Sequence, residues 1–235
     1  MKQINLFCLP FAGGNKYSYR EYQINCPSQL NIVPIEYSGR GSRMSTELMS
    51  NMDDVLQDVF DLIKNKLNQA EYAIYGHSMG ATVGFELIHL IIKNNYKLPL
   101  HFFVTGTMGP SVINRIGRNW HLLPKDKFIQ KLKQLEGCPE EVFRDNELFD
   151  FFEPIIRSDF KVLESFQYVR KPPLNIPITV ITGTEESMDE EDIRSWQFET
   201  TIQVDFRKMK GSHFFIFKYP IDIIELISQK LSLIN

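Results

Sequence analysis

Residues 72–94 leave this chain few ways to fold. Residues 72–75 form a short apolar run that stops at Gly76, and a helical stretch follows from about residue 79 to residue 94. The apolar residues of that stretch (Val83, Phe85, Leu87, Ile88, Leu90, Ile91) fall nearly all round the helix. A helix without a polar face has to be buried, so this strand and helix belong to the interior of a layered structure. The rest of the chain repeats the theme. Residues 4–9, 31–37, 101–107, 178–182 and 202–209 read as further strands. Residues 52–67 place Met52, Val55, Leu56, Val59, Phe60, Ile63 and Leu67 on one helix face, and a C-terminal helix carries Ile223, Ile224, Ile227, Leu231 and Ile234. Continuous apolar strands alternating with helices predict an α/β fold with a mainly parallel central sheet flanked by helices on both faces.

One stretch interrupts the alternation. Residues 109–160 show no strand pattern but three helical ones, at 125–135, 140–143 and 148–160, with mixed charge and the aromatics Phe149, Phe151, Phe152 and Phe160. An insertion of that length in a compact domain usually covers a functional site, so a helical lid within a single domain spanning 1–235 is expected. Its lysines Lys125, Lys127, Lys131 and Lys133 read as a solvated helix face in preference to a contact surface for an acidic protein partner. The length of 235 residues suits one domain. A net charge of −3 gives no basic face for nucleic acid. No apolar run approaches the ~18–20 residues of a membrane span, and the first one ends at Pro10, too short for an export signal. Three cysteines, Cys8, Cys26 and Cys138, without close pairing read as reduced thiols of a cytoplasmic protein. No Cys/His cluster has metal-ligand spacing, so neither metal nor cofactor is expected.

The segment Gly76-His77-Ser78-Met79-Gly80 lies at the junction of strand and buried helix. A serine there sits on a sharp turn, with its Oγ projecting above the strand ends and a helix N-terminus behind it. Ser78 is therefore the candidate nucleophile, and the Met79 N–H a candidate donor to an oxyanion. Such a serine needs a base. His77 is within the turn itself, His89 in the buried helix, His101 at a strand start and His121 in the insertion. His213 follows the last strand in Gly211-Ser212-His213, where a base belongs. The acid should come from the loop after residue 182, Gly183-Thr184-Glu185-Glu186-Ser187-Met188-Asp189. Glu186 is preferred, Asp189 is the runner-up, and Glu185 remains open. The loop Leu9-Pro10-Phe11-Ala12-Gly13-Gly14 ends the first strand, and Phe11 or Ala12, with Phe11 preferred, would supply a second oxyanion donor.

These motifs resemble the type II thioesterases of nonribosomal peptide and polyketide synthesis, members of the α/β-hydrolase superfamily. The resemblance rests on residues 9–14, Gly39-Arg40-Gly41-Ser42-Arg43, the turn at 76–80, residues 135–142, Pro154-Ile155-Ile156-Arg157-Ser158-Asp159-Phe160, Trp196, and Gly211-Ser212-His213-Phe214-Phe215. It implies an α/β-hydrolase fold, catalytic Ser78 and His213, and a mobile lid over an acyl channel. It also implies hydrolysis of acyl or aminoacyl thioesters on the phosphopantetheine arm of a carrier protein, in proofreading or release. The partners expected are that carrier protein and small acyl thioesters, with the enzyme a monomer. The chain departs from the pattern in three places. The family acid is usually aspartate where Glu186 stands, Gly183 and Trp196 are about one residue closer, and Tyr37-Ser38 replaces a proline before Gly39. Two alternatives use the same residues differently. An acyltransferase or general esterase would differ in what resolves the acyl-Ser78, and a non-catalytic acyl-ligand binder would have no need of Ser78 and His213.

Overall fold

The computed structural model describes residues 3–112, 118–135 and 140–233. Residues 136–139 of the 135–142 motif, Cys138 among them, and Ile234 therefore lie outside the described residues. Six strands form one parallel sheet: β1 (Ile4–Leu9), β2 (Leu30–Pro34), β3 (Tyr72–His77), β4 (Phe102–Thr105), β5 (Ile178–Gly183) and β6 (Asp205–Met209). Their order is β2-β1-β3-β4-β5-β6. Registers such as Leu9 opposite Gly76 and His77 opposite Thr105 bring the strand ends level along one edge.

Alternate residues of β1 face opposite layers, as the two-residue period of a strand requires. Phe7 and Leu9 join the core against α2 (Met52–Leu67) and α3 (Met79–Lys93), with Val55, Val59, Val83 and Leu87. Leu6 and Cys8 join the core against α1 (Arg20–Asn25) and the C-terminal helices, with Tyr22, Ile223 and Ile227. Asn51 caps α2 by accepting from Asp54 N at 2.9 Å. The all-round apolar helix is α3, buried from Met79 to Ile88.

Between β4 and β5 come α4 (Lys125–Gln134), α5 (Glu140–Arg144) and α6 (Asn146–Ser165). Phe128, Leu132, Phe149 and Ile156 form their own small core. Asp145 caps α6 through Glu147 N and Leu148 N. Helix α6 runs through Pro154, farther at both ends than the pattern at 148–160 indicated. The interior proline costs about 3 kcal/mol, an amount the burial of Phe149, Ile155, Ile156, Val162 and Leu163 outweighs. Of the insertion lysines, Lys125 pairs with Asp150 and Lys131 lies 4.3 Å over the Trp120 ring. After β5 come α7 (Glu190–Arg194), then β6, α8 (Phe215–Lys218) and α9 (Pro220–Lys230). Two strands are shorter than their apolar patterns. β2 stops at Pro34, which has no N–H for the ladder, and Ile35 and Tyr37 are buried by loop packing instead. β6 begins at Asp205, not at residue 202. No described helix is long and apolar enough to cross a membrane.

Candidate active site

Ser78 sits alone between β3 and α3 with φ 54° and ψ −111°. A non-glycine residue held there stores on the order of 1–3 kcal/mol of strain, so the surroundings have to enforce it. Ser78 N donates to Thr105 O of β4 at 2.9 Å, and Ser78 O accepts from Ala81 N at 3.1 Å to start the helix. The flanking glycines make the turn sterically feasible. A Cβ on Gly76 would lie 2.5 Å from Ala81 N, and one on Gly80 would lie 2.6 Å from the Leu9 carbonyl carbon. As the first residue of α3, Met79 has an N–H with no intrahelical acceptor, at the positive end of the helix.

His213 stands in the turn between β6 and α8. That turn is bound to the loop after β5: Thr184 N donates to Met209 O at 2.8 Å, and Glu185 N to Gly211 O at 2.9 Å. The same loop folds Glu186 back on itself. Gly183 N donates to Glu186 Oε2 at 2.6 Å, which leaves Oε1 facing His213 Nδ1 at 2.7 Å. The Glu186 side chain is only 5% exposed, so little water competes for that contact. Asp189 instead begins α7 as an exposed residue, its C=O accepting from Ile193 N. Glu185 is exposed at the rim of the cavity. Of the three carboxylates left open by the sequence, Glu186 is the one the fold brings to His213.

The His213 ring is flanked by His77, with ring centroids 4.7 Å apart, and by Phe214, 5.1 Å apart. His77 is fully buried and shares a 2.9 Å hydrogen bond with Thr105 Oγ1. Burial, then the charge of a protonated His213, push its pKa well below the ordinary value, so His77 is a neutral, dry neighbour. Gly106, which the sequence reading did not single out, makes room for both rings. It has φ +64°, and a Cβ there would lie 2.9 Å from His77 Nδ1 and 3.2 Å from His213 Cε1. A glycine directly after an apolar strand was the only available signal.

The loop after β1 is held by several backbone hydrogen bonds. Tyr19 OH donates to Leu9 O at 2.6 Å and Tyr37 OH to Pro10 O at 3.2 Å. Gly14 N donates to Phe11 O at 2.8 Å. Gly13 N donates to Asp159 Oδ2 at 2.7 Å, and Gly14 O accepts from Arg40 Nη1 at 3.1 Å. Pro10 has no N–H. Among the described residues, only the Phe11 and Ala12 N–H groups of this loop lack an acceptor. Phe11, Ser78 and His213 line one cavity of about 440 Å³, walled on the insertion side by Trp120, Phe160 and Leu163. Ser78 Oγ and the His213 ring share this cavity without a direct hydrogen bond, a looseness common in unliganded catalytic sites.

Residues 4–231 match the family model of the thioesterase domain. The chain belongs to the thioesterase family. It is 31% identical over 233 residues to the gramicidin S biosynthesis protein GrsT of Aneurinibacillus migulanus, covering 99% of this chain and 90% of that protein. It is 24% identical over 217 residues to the medium-chain S-acyl fatty acid synthase thioesterase of Rattus norvegicus, covering 91% of this chain and 81% of that one. The crystal structure of ClbQ from the colibactin NRPS/PKS pathway superposes with a TM-score of 0.92 at 28% identity, covering 98% of this chain and 97% of that one. The fold is thus that of the α/β-hydrolases, and the family's reaction is thioester hydrolysis.

Proposed function

We propose that this thioesterase hydrolyses acyl or aminoacyl thioesters carried on the phosphopantetheine arm of carrier proteins, with Ser78 as nucleophile, His213 as general base and Glu186 as the acid that orients it. The observation that carries the reading is the 2.7 Å contact between Glu186 and His213 Nδ1, which leaves the other ring nitrogen for chemistry in the cavity that His213 and Ser78 both line. Support for the substrate comes from the relatives, one named for gramicidin S biosynthesis and one for an NRPS/PKS pathway.

Ser78 Oγ attacks the thioester carbonyl carbon while His213 Nε2 takes its proton, and Glu186 holds the imidazolium that forms. The oxyanion is received by the N–H of Met79 and that of Phe11, with Ala12 beside it. The C–S bond breaks as the carbonyl re-forms, and the sulfur, with a thiol pKa of about 8.5, leaves readily and takes its proton from His213. Water then attacks the acyl-Ser78 carbonyl, giving a proton to His213. That proton returns to Ser78 Oγ as the carboxylic acid departs. The insertion closes the far side of the cavity, and in this reading it is the lid that keeps bulk water from the acyl-enzyme.

The test is release of the free carboxylic acid from acyl-phosphopantetheinyl carrier protein and from matched oxygen esters by wild type and Ser78→Ala. Thioester preference, with the variant down by about 10⁴–10⁶-fold, is expected. A variant within tenfold of wild type would remove Ser78 from the mechanism.

A further inference from the structure

We infer that Asp159 and Arg40 are positioning residues for the oxyanion loop, holding residues 11–14 in register with α6 and thereby with the wall of the acyl cavity. The inference rests on the assignment of that loop to the oxyanion site in the proposed mechanism. Arg40 and Asp159 are 119 residues apart in sequence and form a buried bidentate pair, with both N–O distances 2.6 Å and side chains 4% and 3% exposed. An isolated buried ion pair is poor value for stability, because desolvation offsets its attraction and apolar residues of similar size do as well. Here each partner also holds the loop. Asp159 Oδ2 accepts from Gly13 N at 2.7 Å, and Arg40 Nη1 donates to Gly14 O at 3.1 Å. Asp159 thus holds the N–H of the peptide unit joining residues 12 and 13, and Arg40 holds the C=O of the unit joining residues 14 and 15, so the loop is pinned on both sides of the Gly13–Gly14 link and neither held unit can flip without losing its bond.

Three further observations point the same way. Gly13 has φ +81°, and a Cβ there would lie 2.9 Å from Ile156 Cγ1, so the loop is pressed directly onto α6. Burial alone would lower the Arg40 pKa, but Asp159 holds it above its ordinary value, so the clamp stays charged. Asp159 is next in sequence to Phe160, which lines the cavity with Leu163. The helix that contacts the acyl group therefore also fixes the N–H groups that receive the oxyanion.

The test is the double variant Arg40→Met with Asp159→Leu, which removes both charges and both loop contacts together. With a small acyl thioester, kcat is expected to fall about 10–100-fold with KM within about threefold, since misplaced oxyanion donors act on the transition state. A trifluoromethyl ketone analogue, which binds as a tetrahedral Ser78 adduct, should lose affinity by the same factor. An unreactive thioether analogue should keep its affinity. A folded double variant with kcat within about twofold of wild type overturns the inference, as does equal weakening of both analogues. Should the double variant not fold, Asp159→Asn asks the same question, because its single amide oxygen cannot serve Gly13 and both arms of Arg40. The same pattern at smaller size is expected, and a folded Asp159→Asn enzyme with full kcat overturns it. Ser78→Ala run in parallel separates the two claims. Turnover retained there refutes the mechanism itself, whereas a dead Ser78→Ala beside a fully active clamp variant refutes the clamp alone.

Discussion

Glu186→Gln should disable this enzyme while barely touching its fold. The reason lies in one fixed donor. Gly183 N–H points at Oε2 from 2.6 Å and, being backbone, cannot become an acceptor. In the variant the amide oxygen must take that place, which turns the amide NH₂ toward His213 Nδ1, 2.7 Å away in the wild type. A donor now faces the imidazole, so Nδ1 becomes the acceptor and the ring proton moves to Nε2. That nitrogen can no longer accept the Ser78 proton. Flipping the amide would set NH₂ against the Gly183 N–H and leave a buried donor unsatisfied, at about 1–3 kcal/mol. The same tautomer error in a serine protease costs about 10⁴ in kcat, which at 1.36 kcal/mol per decade is about 5.4 kcal/mol. A fall of about 10³–10⁴ is expected here, measured as thiol release by a chromogenic disulfide on active-site-titrated enzyme, with the thermal midpoint near wild type. Glu186→Gln within tenfold of wild type, with Asp189→Asn inactive, would refute the tautomer argument and move the acid to Asp189.

Gly80→Ala should be severely destabilised, by about 3 kcal/mol or more, because its Cβ would meet Leu9 and Pro10 backbone atoms at 2.6 and 2.9 Å, neither of which can rotate away. Thermal unfolding with a wild-type midpoint would show that the strand end yields after all. His101 reports on acid stability. Burial, then Lys230, push its pKa down to about 4, and it is held by a 2.8 Å bond to Thr179 Oγ1. The folded state therefore binds fewer protons than the unfolded state between pH 6.5 and 4, so stability is lost as pH falls across that window, by about 3 kcal/mol at pH 4. His101→Gln, neutral throughout, should reduce the loss between pH 7 and pH 4 by about that amount in urea titrations, and an unchanged pH slope would contradict it.

What could be read in the sequence was what local chemistry dictates. The Ser78 turn is contiguous, and its glycines and flanking apolar runs fix strand, turn and helix without reference to the rest of the chain. His213 followed from chain order. The acid could not be settled there, because Glu185, Glu186 and Asp189 share one acidic loop and differ only in which way the turn at Gly183 aims them. Strand limits failed for a related reason. Ile35 and Tyr37 are apolar because they are buried, and burial alone does not report whether the backbone is in a ladder. Arg40 and Asp159 both stood in recognisable motifs, but their pairing exists only once α6 lies against the loop after β1.

The order of the strands has a consequence for how the protein is made. In the proposed mechanism the nucleophile follows β3, its acid follows β5, its base follows β6, and the loop after β1 lines the same cavity. A chain emerging from the ribosome has its serine turn long before its histidine, and parallel strands pair only after long loops have closed. No partly synthesised chain can hydrolyse a thioester by this route. Regained activity on refolding would accordingly report the docking of β6 and could not appear before α3 and its neighbours are in place.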